Sequence, residues 1–83
     1  MSDEIRAEKL ARLAKLKAEA EAAYDEMYNV YTQSQAKWRY EIADEALSAA
    51  WKIAQELGME EESNAIKIRQ QHIGDVYRHQ FRW

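Results

Sequence analysis

The sequence predicts an all-α protein, and three observations carry that expectation. The chain has no proline, only two glycines among 83 residues, and apolar side chains that recur at helical spacing. The turns that strands would need have almost no residues to make them. There is no cysteine, so no disulfide reinforces the fold. A chain this short forms one helical domain, residues 1–83, with a modest core, and association with another molecule is a natural expectation for it. Leucine, isoleucine and valine are scarce, whereas three Trp, five Tyr and many alanines are present. The core, or an interface, is therefore expected to be built from rings and alanine.

The first helix, residues 3–33, is announced by Ser2-Asp3-Glu4, whose oxygens and charge suit the free N–H groups at a helix start. At 100° per residue, Ile5, Leu13, Leu16, Ala20, Ala23, Tyr24, Met27, Tyr31 and Trp38 fall in one sector roughly a third of the circumference wide. Arg6, Lys15, Glu19 and Asp25 form the opposite, solvated side. From Ala43 the apolar set (Ala43, Ala46, Leu47, Ala50, Ala54, Leu57) is rotated by roughly 120°, which one straight helix cannot bury against a single partner. A turn is therefore predicted in Thr32-Gln33-Ser34-Gln35. The alternative is one continuous helix from Asp3 to Leu57, about 80 Å long.

The second helix, residues 36–57, ends clearly. Gly58 followed by Met59 is the glycine-plus-apolar pattern of a left-handed cap. Glu60, Glu61 and Glu62 then start a third helix, residues 60–80, whose predicted apolar set is Ala65, Ile66, Ile68, Ile73, Val76 and Tyr77. Gly74 is either a close-packing point within it or its early end.

The segment from Ala43 to Gly58, with Ala46, Leu47, Ala50, Trp51, Ala54 and Leu57 between, resembles the second helix and exit of a tetratricopeptide repeat. Ile73-Gly74-Asp75-Val76-Tyr77 is similar to that family's L-G-x2-Y signature, and Tyr24-x2-Met27-Tyr28-x2-Tyr31 to a divergent earlier copy with Tyr28 at the glycine position. The likeness spans residues 20–81. It implies helical hairpins in which Ala43, Ala50 and Gly74 allow close approach while Leu47, Tyr31 and Tyr77 fill the gaps. It also implies one and a half units, which bury their faces only against neighbours and so leave the third helix in need of a partner.

Charge excludes little but orients the rest. The 12 Lys and Arg against 15 Asp and Glu give a net charge of −3, with an acidic stretch over residues 22–63 and a basic one over residues 64–83. Enzymatic chemistry finds few candidates: there is no cysteine nucleophile, no glycine-rich phosphate loop and no His-Glu-x-x-His. His72 and His79 stand two turns apart, Asp75 and His79 read as a surface pair, and Glu41, Asp44 and Glu45 read as a solvated face. No metal or other cofactor is expected. The charged amino terminus and the lack of a long apolar run predict a cytoplasmic protein with no membrane partner.

The sequence thus predicts a non-enzymatic interaction or assembly module that docks by helix faces, either on a second copy of itself or as a small inhibitor on a larger protein. Leu13, Leu16, Ala20, Tyr24 and Met27 are expected to supply the docking face, with Leu10 extending its ridge. Tyr28 and Tyr40, off the main stripe, are expected to contact another chain, whereas Tyr31 and Trp38 are expected in the core. The alternative is a nucleotide or nucleic-acid binder using Lys67, Arg69, Arg78 and Arg82 of the basic carboxyl-terminal helix. Glu60, Glu61 and Glu62 argue against a groove-reading version of that alternative, because they would repel phosphates at the point of entry.

Overall fold

The computed structural model describes residues 2–81. Three helices follow one another: α1 (Asp3–Met27), α2 (Gln33–Glu56) and α3 (Glu60–Val76), the last continuing into one wide π-type turn, Tyr77–Phe81. Among the described residues there is no strand. The molecule measures 47 × 19 × 13 Å.

Each boundary has a local cause. Ser2 caps α1 by accepting from the Ile5 N–H at 3.3 Å, with Asp3 and Glu4 at the positive dipole end. The turn falls at residues 28–32, four residues earlier than the expected 32–35, so the first helix stops at Met27 rather than at 33. Thr32 decides this. Its hydroxyl accepts from the Gln35 N–H at 3.1 Å, while Gln35 reaches back to accept from the Tyr31 N–H at 3.1 Å. That is a variant of the reciprocal cap encoded by Thr-x-x-Gln, and it starts α2 at Gln33. The continuous-helix alternative is excluded by the same turn.

The exit from α2 follows the sequence expectation. Gly58 takes φ +69°, the Met59 N–H donates to the Ala54 carbonyl at 2.9 Å, and the Gly58 N–H donates to that of Gln55 at 3.1 Å. Both bonds of a Schellman cap are present, and Met59 packs on the core as its apolar closure. Gly74 does not end α3; it lies buried inside it, facing the Tyr40 hydroxyl and the Arg78 guanidinium.

The helix α2 is the shared partner. Both α1 and α3 pack along it, whereas among the described residues α1 and α3 make hardly any backbone approach to each other. The rotated stripe explains this. Ala43, Ala46, Leu47, Ala50, Ala54 and Leu57 are all buried, because α2 turns one side to α1 and another to α3. From α1 come Leu13, Leu16, Ala20, Ala23 and Met27, and from α3 Ile66 and Ile73. Lys9 pairs with Glu56 and Glu26 with Arg39, so α1 and α2 run antiparallel with Leu16 level with Ala49 and Ala23 level with Ile42. Residues 3–8 therefore extend past the end of α2, and Ile5, expected in the core, is 46% exposed there. Ile68 and Ala65, also expected on the buried face, point outward.

Among the described residues, Ser63 is the polar residue that is fully inside. The Ser63 hydroxyl donates to the Glu60 carbonyl and accepts from the Gln55 side-chain amide, both at 2.9 Å, so its burial is satisfied. Gln70 latches α3 to α2, donating to the Asp44 carboxylate and the Ser48 hydroxyl, both at 2.8 Å.

Candidate interaction surface

The expected docking face on α1 is not available for docking. Leu13, Leu16, Ala20 and Met27 are buried within the chain's own core, Leu16 at the edge nearest the open side of the hairpin, because α2 already covers that flank. Tyr24 is half-buried, edge-on to Tyr28 at 5.5 Å and to His72 at 6.4 Å, with the Arg69 guanidinium 4.9 Å above its ring. Its hydroxyl lies 3.0 Å from that of Tyr28, and this hydrogen bond, with burial, raises the Tyr24 pKa above the ordinary tyrosine value.

Of the four aromatic expectations, those for Tyr40, Tyr31 and Trp38 are reversed, while Tyr28 is half exposed. Tyr40, expected to meet another chain, is half-buried and stacks on Tyr77 at 4.4 Å with the rings nearly parallel, and burial followed by Asp44 raises its pKa. Tyr28 leaves part of its ring in solvent but meets Tyr24 and, at 5.0 Å, Phe81. Tyr31 and Trp38, expected in the core, are 95% and 55% exposed. Tyr31 fills no gap between helices, because it sits in the turn where helical phase no longer applies.

These exposed groups belong to the open side of the α1–α2 hairpin, away from α3. A shallow cleft of about 250 Å³ there is lined by Leu16, Glu19, Ile42, Glu45 and Ala46. Trp38 lies one turn before Ile42 on α2 and borders a second cleft of about 260 Å³ with Val30, Tyr31 and Arg39. The Arg39 guanidinium stacks over the Trp38 ring at 4.4 Å and pairs with Glu26 at 2.7 Å, while its buried Nε has no hydrogen-bond partner.

The basic residues are already engaged. Arg69 grips Glu21 with two hydrogen bonds, 2.8 Å from Nε and 2.6 Å from Nη2; Arg78 holds Asp75 at 2.6 Å; and Lys67 lies 4.4 Å over the Trp51 ring. Arg82 lies outside the described residues. With Lys17–Glu62, the Arg69–Glu21 pair lines an open apolar groove of about 250 Å³ between α1 and α3, floored by Leu47 and Ile66. Each phosphate contact through Arg69 or Arg78 would first have to break an internal pair.

Arg69 holds the Glu21 carboxyl below its usual range, first by hydrogen bonding, against partial burial that pushes it up. A carboxyl lowered in the folded state adds stability above its unfolded pKa, near 4.5, and loses it as pH falls through the folded value. Both side chains are more than a third exposed, so solvent screening limits the effect to about 1 kcal/mol or less. Urea unfolding at pH 7 and at steps below pH 4.5 is therefore expected to show the wild type and Glu21→Gln differing at pH 7, with the difference narrowing as pH falls.

Among the described residues, no group of three or more His, Asp or Glu is placed to hold a metal ion, and no helix is long and apolar enough to cross a membrane. Compared with models of protein families, with curated proteins and with solved structures, the chain matches none.

Proposed function

We propose that the chain is a non-enzymatic helical docking module whose contact face is the open side of the α1–α2 hairpin. One observation carries this: the core closes without Trp38, yet that indole stands more than half exposed beside Ile42 and the Leu16–Ala46 cleft. A large ring held on a rigid helix, with apolar neighbours and a charged rim, is what an interface anchor requires. The resemblance to tetratricopeptide repeats favours the same reading, since such units work by presenting helix faces. Assembly and inhibition of a larger protein both use such a face. The nucleic-acid alternative loses support because Lys67, Arg69 and Arg78 are bound within the chain.

Photo-crosslinking in the host cell tests the reading. A photoreactive residue at position 38 is expected to give protein adducts, and one at Gln71, exposed on α3, is expected to give few. Equal labelling from both positions, or none from position 38, overturns it.

A further inference from the structure

Resting on that reading, we propose that the occupant of the open α1–α2 face is a second copy of this chain, packed antiparallel with α1 against α1 and α2 against α2. The two-fold axis passes close to Leu16 and between Ala46 and Ala49.

The charges of the face carry the inference. Arg12, Lys15 and Lys52 lie toward the end where α1 begins, and Glu19, Glu41 and Glu45 lie toward the turn end. Their places follow from the register, in which Lys9 is level with Glu56 and Glu26 with Arg39. Along α1, Arg12, Lys15 and Glu19 share the stripe of Leu16. Along α2, Glu45, Ala49 and Lys52 share the stripe of Ile42. Arg12, Lys15, Glu19, Glu45 and Lys52 are exposed and have no ion pair among the described residues, and Glu41 has only a 4.0 Å contact with Lys37. Four pairs, Lys9–Glu56, Lys17–Glu62, Glu21–Arg69 and Glu26–Arg39, join separate helices, and none of them uses these residues. The six share the one side of the hairpin that α3 does not cover.

With an excess of base at one end and of acid at the other, the face is complementary to itself when reversed at its two central pairs, and Glu41 falls level with Glu56, whose charge Lys9 already meets. A two-fold axis in the plane of the face and across the helices sets Lys15 against Glu19 of the second copy and Lys52 against its Glu45, each pair occurring twice. The parallel arrangement, with α1 over the second copy's α2, instead sets Arg12 against Lys52 and Glu19 against Glu45, so the same charges reject it. Ala49 and the outer edges of Leu16 and Ala46, which line the cleft, meet at the centre, with Ile42 further out. Each Trp38 reaches the end of the other copy's α2, beside the overhanging first turns of α1, where Ile5 has no cover of its own.

Sedimentation equilibrium of the full chain tests the proposal at low ionic strength, where exposed pairs act most strongly. A dimer is expected. Trp38→Ala is expected to weaken it by about thirtyfold with no loss of helicity. Lys52→Glu and Glu45→Lys are each expected to weaken it by about tenfold, because each sets like charges together twice, and the double swap in one chain is expected to restore it. A chain that stays monomeric up to about millimolar concentration, with helicity intact, overturns the dimer. So does a dimer that Trp38→Ala leaves unchanged, or one whose single reversals the double swap fails to rescue. Adducts to a different protein from position 38, together with a monomeric chain, also overturn the dimer while leaving the docking reading in place.

Discussion

Replacing Ile73 with alanine is expected to cost about 4 kcal/mol and to lower the thermal midpoint by about 20 °C, the largest effect of any single truncation in α3. Ile73 is 1% exposed and lines none of the clefts described above, so the space it vacates is closed to water and loses its packing contacts outright. Ile66, seven residues earlier on the same face, is as well buried but floors the groove between α1 and α3. Its truncation opens into space that water and the Lys17–Glu62 side chains can enter, and is expected to cost about 2 kcal/mol. Ile68 is 68% exposed, and its alanine variant is expected to stay within about 0.5 kcal/mol of wild type. Circular dichroism melts of the three variants check the order. A loss at Ile68 equal to that at Ile73 would mean that α3 is rotated from the position described.

Enlarging Ala43 to leucine is expected to cost about 3 kcal/mol, a fall of about 15 °C, by the opposite mechanism. Ala20, Ala43, Ala50 and Ala54 expose no surface at all, and they are the contacts that let α2 lie close to its neighbours. Four side-chain carbons in place of one leave no free rotamer there, so α2 must shift away and loosen contacts well beyond the site. Ala49→Leu supplies the internal comparison. Ala49 is half-buried toward the open face, where a longer side chain can lie along the surface, and little stability change is expected in the isolated chain. Urea denaturation of both variants at protein concentrations low enough to suppress association separates the two effects. Equal losses would show that alanine is not required in the seam.

Helix identity and the buried stripe of α2 were legible because they depend on spacing within one uninterrupted helix. Leu13, Leu16, Ala20, Ala23 and Met27 were placed on one face for the same reason, and Gly58-Met59 marked its cap through local backbone chemistry. Phase counting failed beyond Met27. Carrying 100° per residue through Asn29 and Val30 put Tyr31 and Trp38 on the core side, but a chain that leaves the helix at residue 28 resets its phase at Thr32. The signal that locates the restart is the Thr32-x-x-Gln35 pair, which marks a helix start rather than the turn itself. The docking role given to Leu13, Leu16, Ala20 and Met27 failed for a different reason: an apolar stripe records that something covers it, not whether the cover is the next helix or another molecule. Ionic partners were out of reach too, since Arg69 finds Glu21 from 48 residues away. Only the packing of both helices on α2 brings them together.

Because α2 alone packs along both outer helices, the broad helix–helix contacts among the described residues join helices that are consecutive along the chain. Such a topology lets assembly proceed by short excursions, without waiting for distant ends to meet, and belongs with the rapid folders among small proteins. It also makes the three rods unequal when one is lost. Without α3 a hairpin survives as a unit, and without α1 another does, whereas melting of α2 strands both remaining rods at once.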